Sequence, residues 1–290
     1  MSCPSCNARF KINDDITDFL SHLHPVAARE RQAVASLDGE ASGASDKLRG
    51  LLKKFDVQEP DEGELQEFPC LRHAKETRVQ LRQLLAKYPM KPGWIVVELG
   101  ADHCWTSNLL LDAGCHVIAV DITDHLSLAS RAGDPDLCRI NADMNALPLA
   151  HDSVDIVWAT SSAHHSWDLA KTFREAFRIL RQGGMLLFCS EPLPSWPRYL
   201  FGKRFGQTER ALGINEKWIR RGKWLTLCRR AGFRAQLAFP TLRPQAVRER
   251  LEAHHLPGAL APFLMPLLKT LQVSIHLIAF KGGGPASKDD

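Results

Sequence analysis

The chain has 290 residues, of which 44% are hydrophobic and 24% are charged, and its formal net charge is +4 at pH 7. These values are typical of one α/β domain of about 200 residues with extensions, and they exclude fibrous and low-complexity proteins. The N-terminus lacks the basic and apolar regions of a signal peptide. The longest apolar stretch, 256–268, is interrupted by proline and is too short to cross a bilayer. We therefore expect a cytoplasmic location and reduced cysteines.

The N-terminal segment 1–25 contains two cysteines separated by two residues. Cys3 and Cys6, followed by an aromatic residue and a short strand, are typical of half of a zinc ribbon. Tetrahedral zinc needs four ligands. Two pairs can supply the others: His22 with His24, or Cys70 with His73. The alternative interpretation is a decayed leader with free thiols.

Residues 26–70 are poor in large apolar side chains and rich in Ala, Ser, Gly and acids. This composition predicts a flexible acidic linker. A helix is predicted to begin at Leu71 and to end before Pro89 and Pro92. Its apolar face is expected to consist of Leu81, Leu84, Leu85 and Tyr88.

The segment 94–121 has the pattern of strand, tight turn, helix and strand. Gly100 opens the turn, Gly114 closes the helix, and Asp121 follows Gly100 by 21 positions. In an open parallel sheet, this spacing brings the acid to the C-terminal end of the neighbouring strand. There a carboxylate can accept hydrogen bonds from both hydroxyls of a ribose.

The following residues predict five more strands and an amphipathic helix. Asp168 is expected to cap the helix 168–180, which is followed by Gly183 and Gly184. Apolar residues at helical spacing form its core face: Leu169, Phe173, Ala176, Phe177 and Leu180. The last three strands are predicted at 185–191, 233–240 and 273–281.

In the order and spacing of these motifs, residues 71–282 resemble class I S-adenosylmethionine-dependent methyltransferases. The resemblance implies an α/β fold with a doubly wound, mostly parallel sheet of seven strands, the last of them antiparallel. It also implies helical inserts at 193–231 and 241–272, and a disordered tail is expected at 283–290.

The resemblance implies S-adenosyl-L-methionine as the cofactor. In the resemblance, the first loop that contacts the cofactor contains Glu98, Gly100, Ala101 and Asp102. Asp121 and Ile122 would bind the ribose, and Asp143 and Met144 would bind the adenine. Ser161, which follows the fourth strand, is the last residue assigned to the cofactor site. The family loop carries an acid and three alternating glycines, whereas Asp102 and Cys104 replace the second and third glycines here. Asp tolerates a left-handed backbone, so Asp102 can hold the turn.

Two adjacent histidines, His164 and His165, match a doubled histidine that often follows the fourth strand in this family. A neutral imidazole can take a proton from a hydroxyl acceptor, which makes both residues candidate general bases. The alternative is that one of the two rings only lines the pocket or forms a hydrogen bond with the backbone. Glu191, after the fifth strand, is a further candidate for binding the acceptor or for capping a helix.

The region 196–234 contains eleven basic residues, two acids and seven interleaved aromatic residues. Such a surface suits an anionic acceptor, RNA or the anionic inner face of a membrane. The alternative is a solvated basic face on a helix 216–231 with Trp218, Leu225 and Cys228 packed inward. A second insert, 243–272, pairs a charged helix with an apolar one, which suits an acceptor lid, a lipid surface or a homodimer contact.

The sequence thus predicts an S-adenosylmethionine-dependent methyltransferase acting on a small or lipid-like, anionic acceptor. An RNA methyltransferase and a non-catalytic, partner-binding methyltransferase fold are the alternatives. A dinucleotide dehydrogenase shares the layout from strand to acid, but its fingerprint also needs the two missing glycines and gives no role to Asp143.

Overall fold

A computed structural model of the chain describes residues 11–21, 23–40, 50–51, 61, 63–64, 69–194, 210–240, 247–248, 251–252, 256–264 and 274–282. The predictions for Cys3, Cys6 and the tail 283–290 lie outside these residues, as do those for His22 and for the side chains of Cys70 and His73. Most of the aromatic residues of the basic segment also lie outside them.

Five α-helices and nine strands have both of their ends within the described residues. The helices are α1 (Pro25–Glu40), α2 (Pro69–Lys87), α3 (Ser107–Asp112), α4 (Leu169–Ile179) and α5 (Arg221–Arg230). The strands are β1 (Lys11–Asn13), β2 (Ile16–Asp18), β3 (Ile95–Leu99), β4 (His116–Asp121), β5 (Leu137–Asn141), β6 (Val154–Thr160), β7 (Leu180–Pro192), β8 (Arg234–Ala238) and β9 (Ser274–Phe280).

All nine strands belong to one sheet, in the order β1-β2-β5-β4-β3-β6-β7-β9-β8. Strands β2 to β7 pair in parallel, whereas β9 runs antiparallel to both β7 and β8. The predicted α/β fold and its antiparallel last strand are therefore confirmed. The predicted seven strands correspond to β3 to β9, and the N-terminal hairpin β1-β2 adds two more at the edge beside β5.

The segment predicted to be a flexible linker contains a helix of 16 residues, α1. Its buried residues include Ala27, Glu30 and Ala33, and Arg31 pairs with Asp124 at 2.8 Å. The linker prediction for 26–70 is therefore wrong over α1. Small side chains and one buried acid let this helix pack closely, and the low content of large apolar residues concealed it.

The central strands are buried on both faces of the sheet. Val96 packs into one core cluster with Leu81 of α2. Its neighbour Val97 packs into the other with Phe173 of α4 and Trp224 of α5, since successive side chains of a strand point to opposite faces. This double burial explains the continuous β-branched and apolar runs in the sequence.

Helix α4 confirms its predicted cap, because the Asp168 side chain accepts a hydrogen bond from the Lys171 backbone N–H at 3.1 Å. Helix α5 differs from prediction and begins only at Arg221. Residues 214–220 form an irregular segment instead, which carries Glu216 toward the centre of the molecule. Trp224 and Cys228 are the buried residues of α5.

In the described part of the second insert, Leu256, Leu260 and Phe263 are exposed, and the exposed fraction of Phe263 is 80%. In the part of the chain that the structure describes, the search for a helix with the length and hydropathy of a membrane span finds none.

Candidate functional site

The chain order reverses at β3, since β4 and β5 follow on one side of it and β6 lies on the other. Open parallel sheets bind ligands outside the carboxyl ends of the strands at such a point. A cavity of about 520 Å³ lies there. It is lined by these predicted site residues: Gly100, Ala101, Asp102, Asp121, Ile122, Asp143, Met144, Ser161 and His165. Glu98 and His164 are buried behind this lining.

The loop after β3 contains three residues with a left-handed backbone. The φ angles are +67° at Gly100, +48° at Asp102 and +60° at Cys104. Asp102 and Cys104 thus take the conformation for which glycine is usually needed, and the Cys104 side chain is fully buried. A Cβ at Gly100 would lie 2.5 Å from the Cβ of Ser162, so only glycine fits there without movement.

The Asp121 carboxylate holds this loop to the loop after β4. Its Oδ2 accepts from the Asp102 backbone N–H at 2.9 Å. Its Oδ1 accepts from the backbone N–H and the hydroxyl of Thr123, both at 2.8 Å. Burial raises the pKa of Asp121, and the nearby Asp102 charge adds to the rise. The carboxylate therefore organises two edges of the cavity.

Glu98, at the end of β3, is 1% exposed. Its carboxyl group accepts a hydrogen bond from the Ser107 hydroxyl of α3. Burial raises the pKa of Glu98 to about 8, despite the opposing effect of this hydrogen bond. A neutral carboxylic acid therefore anchors the first turn of α3 at neutral pH.

The Asp102 side chain lies between two imidazoles. Its Oδ2 is 2.6 Å from Nδ1 of His103, and its Oδ1 is 2.5 Å from Nδ1 of His125. Burial favours the neutral form, but hydrogen bonds from both rings outweigh it and hold the pKa of Asp102 well below its usual range. The two rings stack with centroids 4.7 Å apart, forming one wall of the cavity.

The Asp143 carboxylate is partnered on both oxygens. Oδ1 accepts from the Asn145 backbone N–H and Oδ2 from the Trp167 indole N–H, both at 2.8 Å. The Trp167 indole stacks on the His24 ring, with the two ring centroids 3.8 Å apart. The N-terminal segment thereby contacts the same cavity wall as Asp143.

His164 is buried between two carboxylates. Its Nδ1 is 2.8 Å from Oε2 of Glu191, and its Nε2 is 3.3 Å from Oε2 of Glu216. Burial alone would lower the pKa of His164, but the two carboxylates raise it to about 9. Glu191 also accepts from the backbone N–H groups of Ser162, Ala163 and His164, so it fixes the turn after β6.

His165 faces the cavity and contacts two further acids. Its Nδ1 is 2.8 Å from Oε1 of Glu30 in α1, and its Nε2 is 3.3 Å from Oε2 of Glu216. The rings of His164 and His165 lie with centroids 4.2 Å apart. The two histidines and the two acids, with Glu191 behind them, form one connected group.

Sequence reasoning missed four residues of the site: Glu30, His125, Trp167 and Glu216. Glu30 lies in the segment interpreted as a linker, and Glu216 was expected on a solvated helix. Trp167 directly follows the doubled histidine and precedes the cap of α4. The sequence signal for Trp167 was its position close to the candidate bases His164 and His165.

Comparison with protein families matches residues 97–188 to the methyltransferase domain. A malonyl-[acyl-carrier protein] O-methyltransferase of Enterobacter lignolyticus is 28% identical over 126 residues, which are 43% of this chain and 50% of that protein. The chain thus spans about half the length of the curated relative it matches.

Two solved structures have the same fold. One is a chain of the complex between the Haloferax volcanii Trm112 methyltransferase activator and a methyltransferase, with 18% identity and a TM-score of 0.58, covering 72% of this chain and 92% of that one. The other is an S-adenosylmethionine-dependent methyltransferase from Mesorhizobium loti, with 23% identity and a TM-score of 0.53, covering 69% and 96%.

The topology and the domain match agree with the motifs of the sequence. Residues 97–188 therefore match a methyltransferase domain and share the fold of the two solved methyltransferase structures, which confirms the resemblance drawn from the sequence. This matched part runs from the end of β3 to the middle of β7.

We predict that Gly100→Ala destabilises the protein more than Gly93→Ala. Both glycines have positive φ, +67° and +78°, so each alanine costs about 1–2 kcal/mol of backbone strain. Only Gly100 meets a neighbour, the Ser162 side chain, whereas no atom lies within 4 Å of a Cβ at Gly93. Chemical denaturation measures the two losses, and equal losses would contradict the close approach.

A second prediction concerns the pH dependence of stability. Because the pKa of Glu98 is about 8 when folded and 4.5 ordinarily, the folded state binds its proton more tightly. This stabilisation is complete below pH 4.5 and is lost as pH rises through 8, at up to about 1.4 kcal/mol per pH unit. Glu98→Gln should flatten this decline in unfolding free energy. Parallel curves for the two proteins would refute it.

Proposed function

We propose that the protein transfers a methyl group from S-adenosylmethionine to a small or lipid-like, anionic acceptor. The observation that carries this proposal is the β3 loop, where left-handed Asp102 and Cys104 replace two glycines and leave the cavity open. Asp121 and Asp143 border that cavity at the carboxyl ends of β4 and β5. The altered loop is therefore compatible with a ligand.

The size and lining of the cavity support an adenosyl cofactor. Its volume of about 520 Å³ falls in the range of small-molecule sites. Close approach of a ligand to the loop needs a bare backbone, and Gly100 supplies it. Asp121 would hold the ribose through the lone-pair site of Oδ2 that its three loop hydrogen bonds leave free. Asp143 with Met144 would hold the adenine edge. Glu98 supports the loop from behind.

Bound S-adenosylmethionine supplies a methyl group on a cationic sulfonium. The transfer is an in-line displacement, so the main work of the protein is to position the acceptor and to exclude water. Asp102 brings a negative charge to the cavity, held ionised by His103 and His125. We assign to this carboxylate an electrostatic role toward the sulfonium or the cofactor's ammonium group.

An acceptor hydroxyl also needs a base. His165 lines the cavity, whereas His164 is 4% exposed and has a pKa raised to about 9 by Glu191 and Glu216. A protonated ring cannot take a proton. We therefore assign the acceptor-facing role to His165, and we assign to His164 the positioning of Glu216 and of the turn after β6.

Exposed cations support an anionic acceptor. Arg220, Arg221, Lys223, Arg229 and Arg230 are exposed on α5 and beside it. A surface of this sign attracts an acidic carrier protein or an anionic headgroup. The relative from Enterobacter lignolyticus is named for an acceptor joined to acyl-carrier protein. We infer a carboxyl or hydroxyl acceptor on such a carrier or lipid. RNA remains the alternative acceptor for the same cations.

We predict that the wild-type protein binds S-adenosylhomocysteine at one site and that Asp121→Ala weakens binding at least about tenfold. The variant loses the ribose acceptor together with the loop contact. Thr123→Val is the matched control, because it removes one loop hydrogen bond and keeps the carboxylate. Titration calorimetry should find a smaller loss in the control. A folded wild-type protein that binds none of the ligand favours the non-catalytic alternative.

The acceptor proposal predicts a charge-dependent rate. Replacing Arg220 and Lys223 with Glu should lower kcat/KM for a malonylated acyl-carrier protein at least about tenfold at low salt, since steering depends on charge. Lys11→Glu is the control, because β1 lies at the opposite edge of the sheet. Labelled methyl transfer to the carrier, to anionic vesicles and to RNA identifies the class of acceptor. Transfer to RNA alone would overturn the proposal.

A further inference from the structure

We propose that His164, His165 and Glu216 form a binding site for one divalent transition-metal ion. One ligand atom from each of the three residues lies within 4.8 Å of the other two. Two neutral imidazoles and one carboxylate are a ligand set that proteins use for such ions at catalytic sites, where a further position stays open to water or substrate.

Two of the distances between these ligand atoms match coordination of one ion. Each Nε2 lies 3.3 Å from the same Glu216 oxygen. This is longer than the usual range of about 2.7–3.2 Å for an N–H···O hydrogen bond. For metal–ligand bonds of about 2.0–2.1 Å, two ligand atoms of a tetrahedron lie roughly 3.3–3.4 Å apart. The observed spacing is therefore that of two edges of a coordination tetrahedron.

The opposite nitrogen of each ring already faces a carboxylate. Nδ1 of His164 is 2.8 Å from Glu191, and Nδ1 of His165 is 2.8 Å from Glu30. The first contact is a hydrogen bond, and the second has ion-pair distance without hydrogen-bond alignment. Histidines that bind metals commonly have such a partner, which directs Nε2 to the ion and increases its basicity.

Glu216 supplies an independent sign of a missing ligand. Its side chain is 6% exposed, and its Oε1 atom is buried without a hydrogen-bond partner. An unpartnered buried carboxylate oxygen is costly, because it has lost its water without gaining a partner. An ion bound by Glu216 would relieve this cost.

A second group of possible ligands, Asp102, His103 and His125, has a different geometry. Its Asp–His distances are 2.5 and 2.6 Å, which are those of short charge-assisted hydrogen bonds. Ligands around one ion stand farther apart than that. The distance between ligand atoms therefore favours a metal ion at the Glu216 group. The Asp102 group serves as a comparison site.

The charge around the Glu216 group also favours a cation. Three acids, Glu30, Glu191 and Glu216, surround the two rings. Ligating imidazoles are neutral, so binding of the ion would release the proton of His164. The three acids then give a local charge of −3, which a divalent ion reduces to −1. His165 also lines the cavity, so the ion would lie at the cavity wall, where its open position could bind an acceptor oxygen. With the ion bound, His165 would be a ligand instead of a base, and the ion would lower the pKa of the bound hydroxyl. That role rests on the proposed function, whereas metal binding itself does not.

The test is titration of the full chain, purified in the presence of a chelator and then freed of it, with Co²⁺ alone. We expect one equivalent to bind and to produce the intense visible absorption of tetrahedral cobalt. Glu216→Gln, which keeps the shape of the side chain, should weaken binding at least tenfold, and so should His165→Gln. The control His103→Gln should leave affinity and spectrum unchanged.

Several outcomes would overturn the proposal. The first is that the folded wild-type protein binds no stoichiometric Co²⁺. The second is that folded Glu216→Gln and His165→Gln bind Co²⁺ as tightly as the wild type. The third is that His103→Gln loses binding, which would move the site to Asp102. Thermal melting verifies that each variant is folded. If Glu216→Gln does not fold, His165→Gln provides the test. Titration with S-adenosylhomocysteine without metal tests the proposed function separately, so failure of one does not imply failure of the other.

Discussion

The site depends on one buried carboxylate that joins two loops. Asp121 ends β4 and accepts hydrogen bonds from the backbone of the β3 loop and from Thr123. Parallel strands deliver their carboxyl ends to one edge of the sheet, but the loops that follow have no ladder to hold them. The carboxylate supplies this connection, and the cavity opens beside it because the chain reverses its order at β3.

The β3 loop explains how the fold tolerates the loss of two glycines. A left-handed backbone is costly for a residue with a Cβ unless its surroundings compensate. Asp102 has compensation from three directions, because its backbone donates to Asp121 while its side chain meets His103 and His125. Cys104 is small and fully buried. Only Gly100, which nearly touches Ser162, admits no side chain.

At one wall of the cavity, acids and histidines from distant parts of the chain converge. Glu30 comes from α1, the histidine pair follows β6, Glu191 belongs to β7, and Glu216 comes from the irregular segment before α5. Buried ionised groups are costly unless they are paired, so these elements stabilise one another through the group. Glu30 thereby joins helix α1 to the methyltransferase-like domain that follows it.

The sequence by itself determined the α/β class, the strands β3 to β9, the cap of α4 and the placing of Asp121 and Asp143 at strand ends. These follow from local patterns and from the rule that parallel strands align their ends. Only the tertiary structure decided that α1 is a helix, that His164 is buried while His165 faces the cavity, and that Glu30 and Glu216 join them. Such contacts join residues far apart in sequence, and burial, which sets their charge, is a property of the packed chain with no local signal.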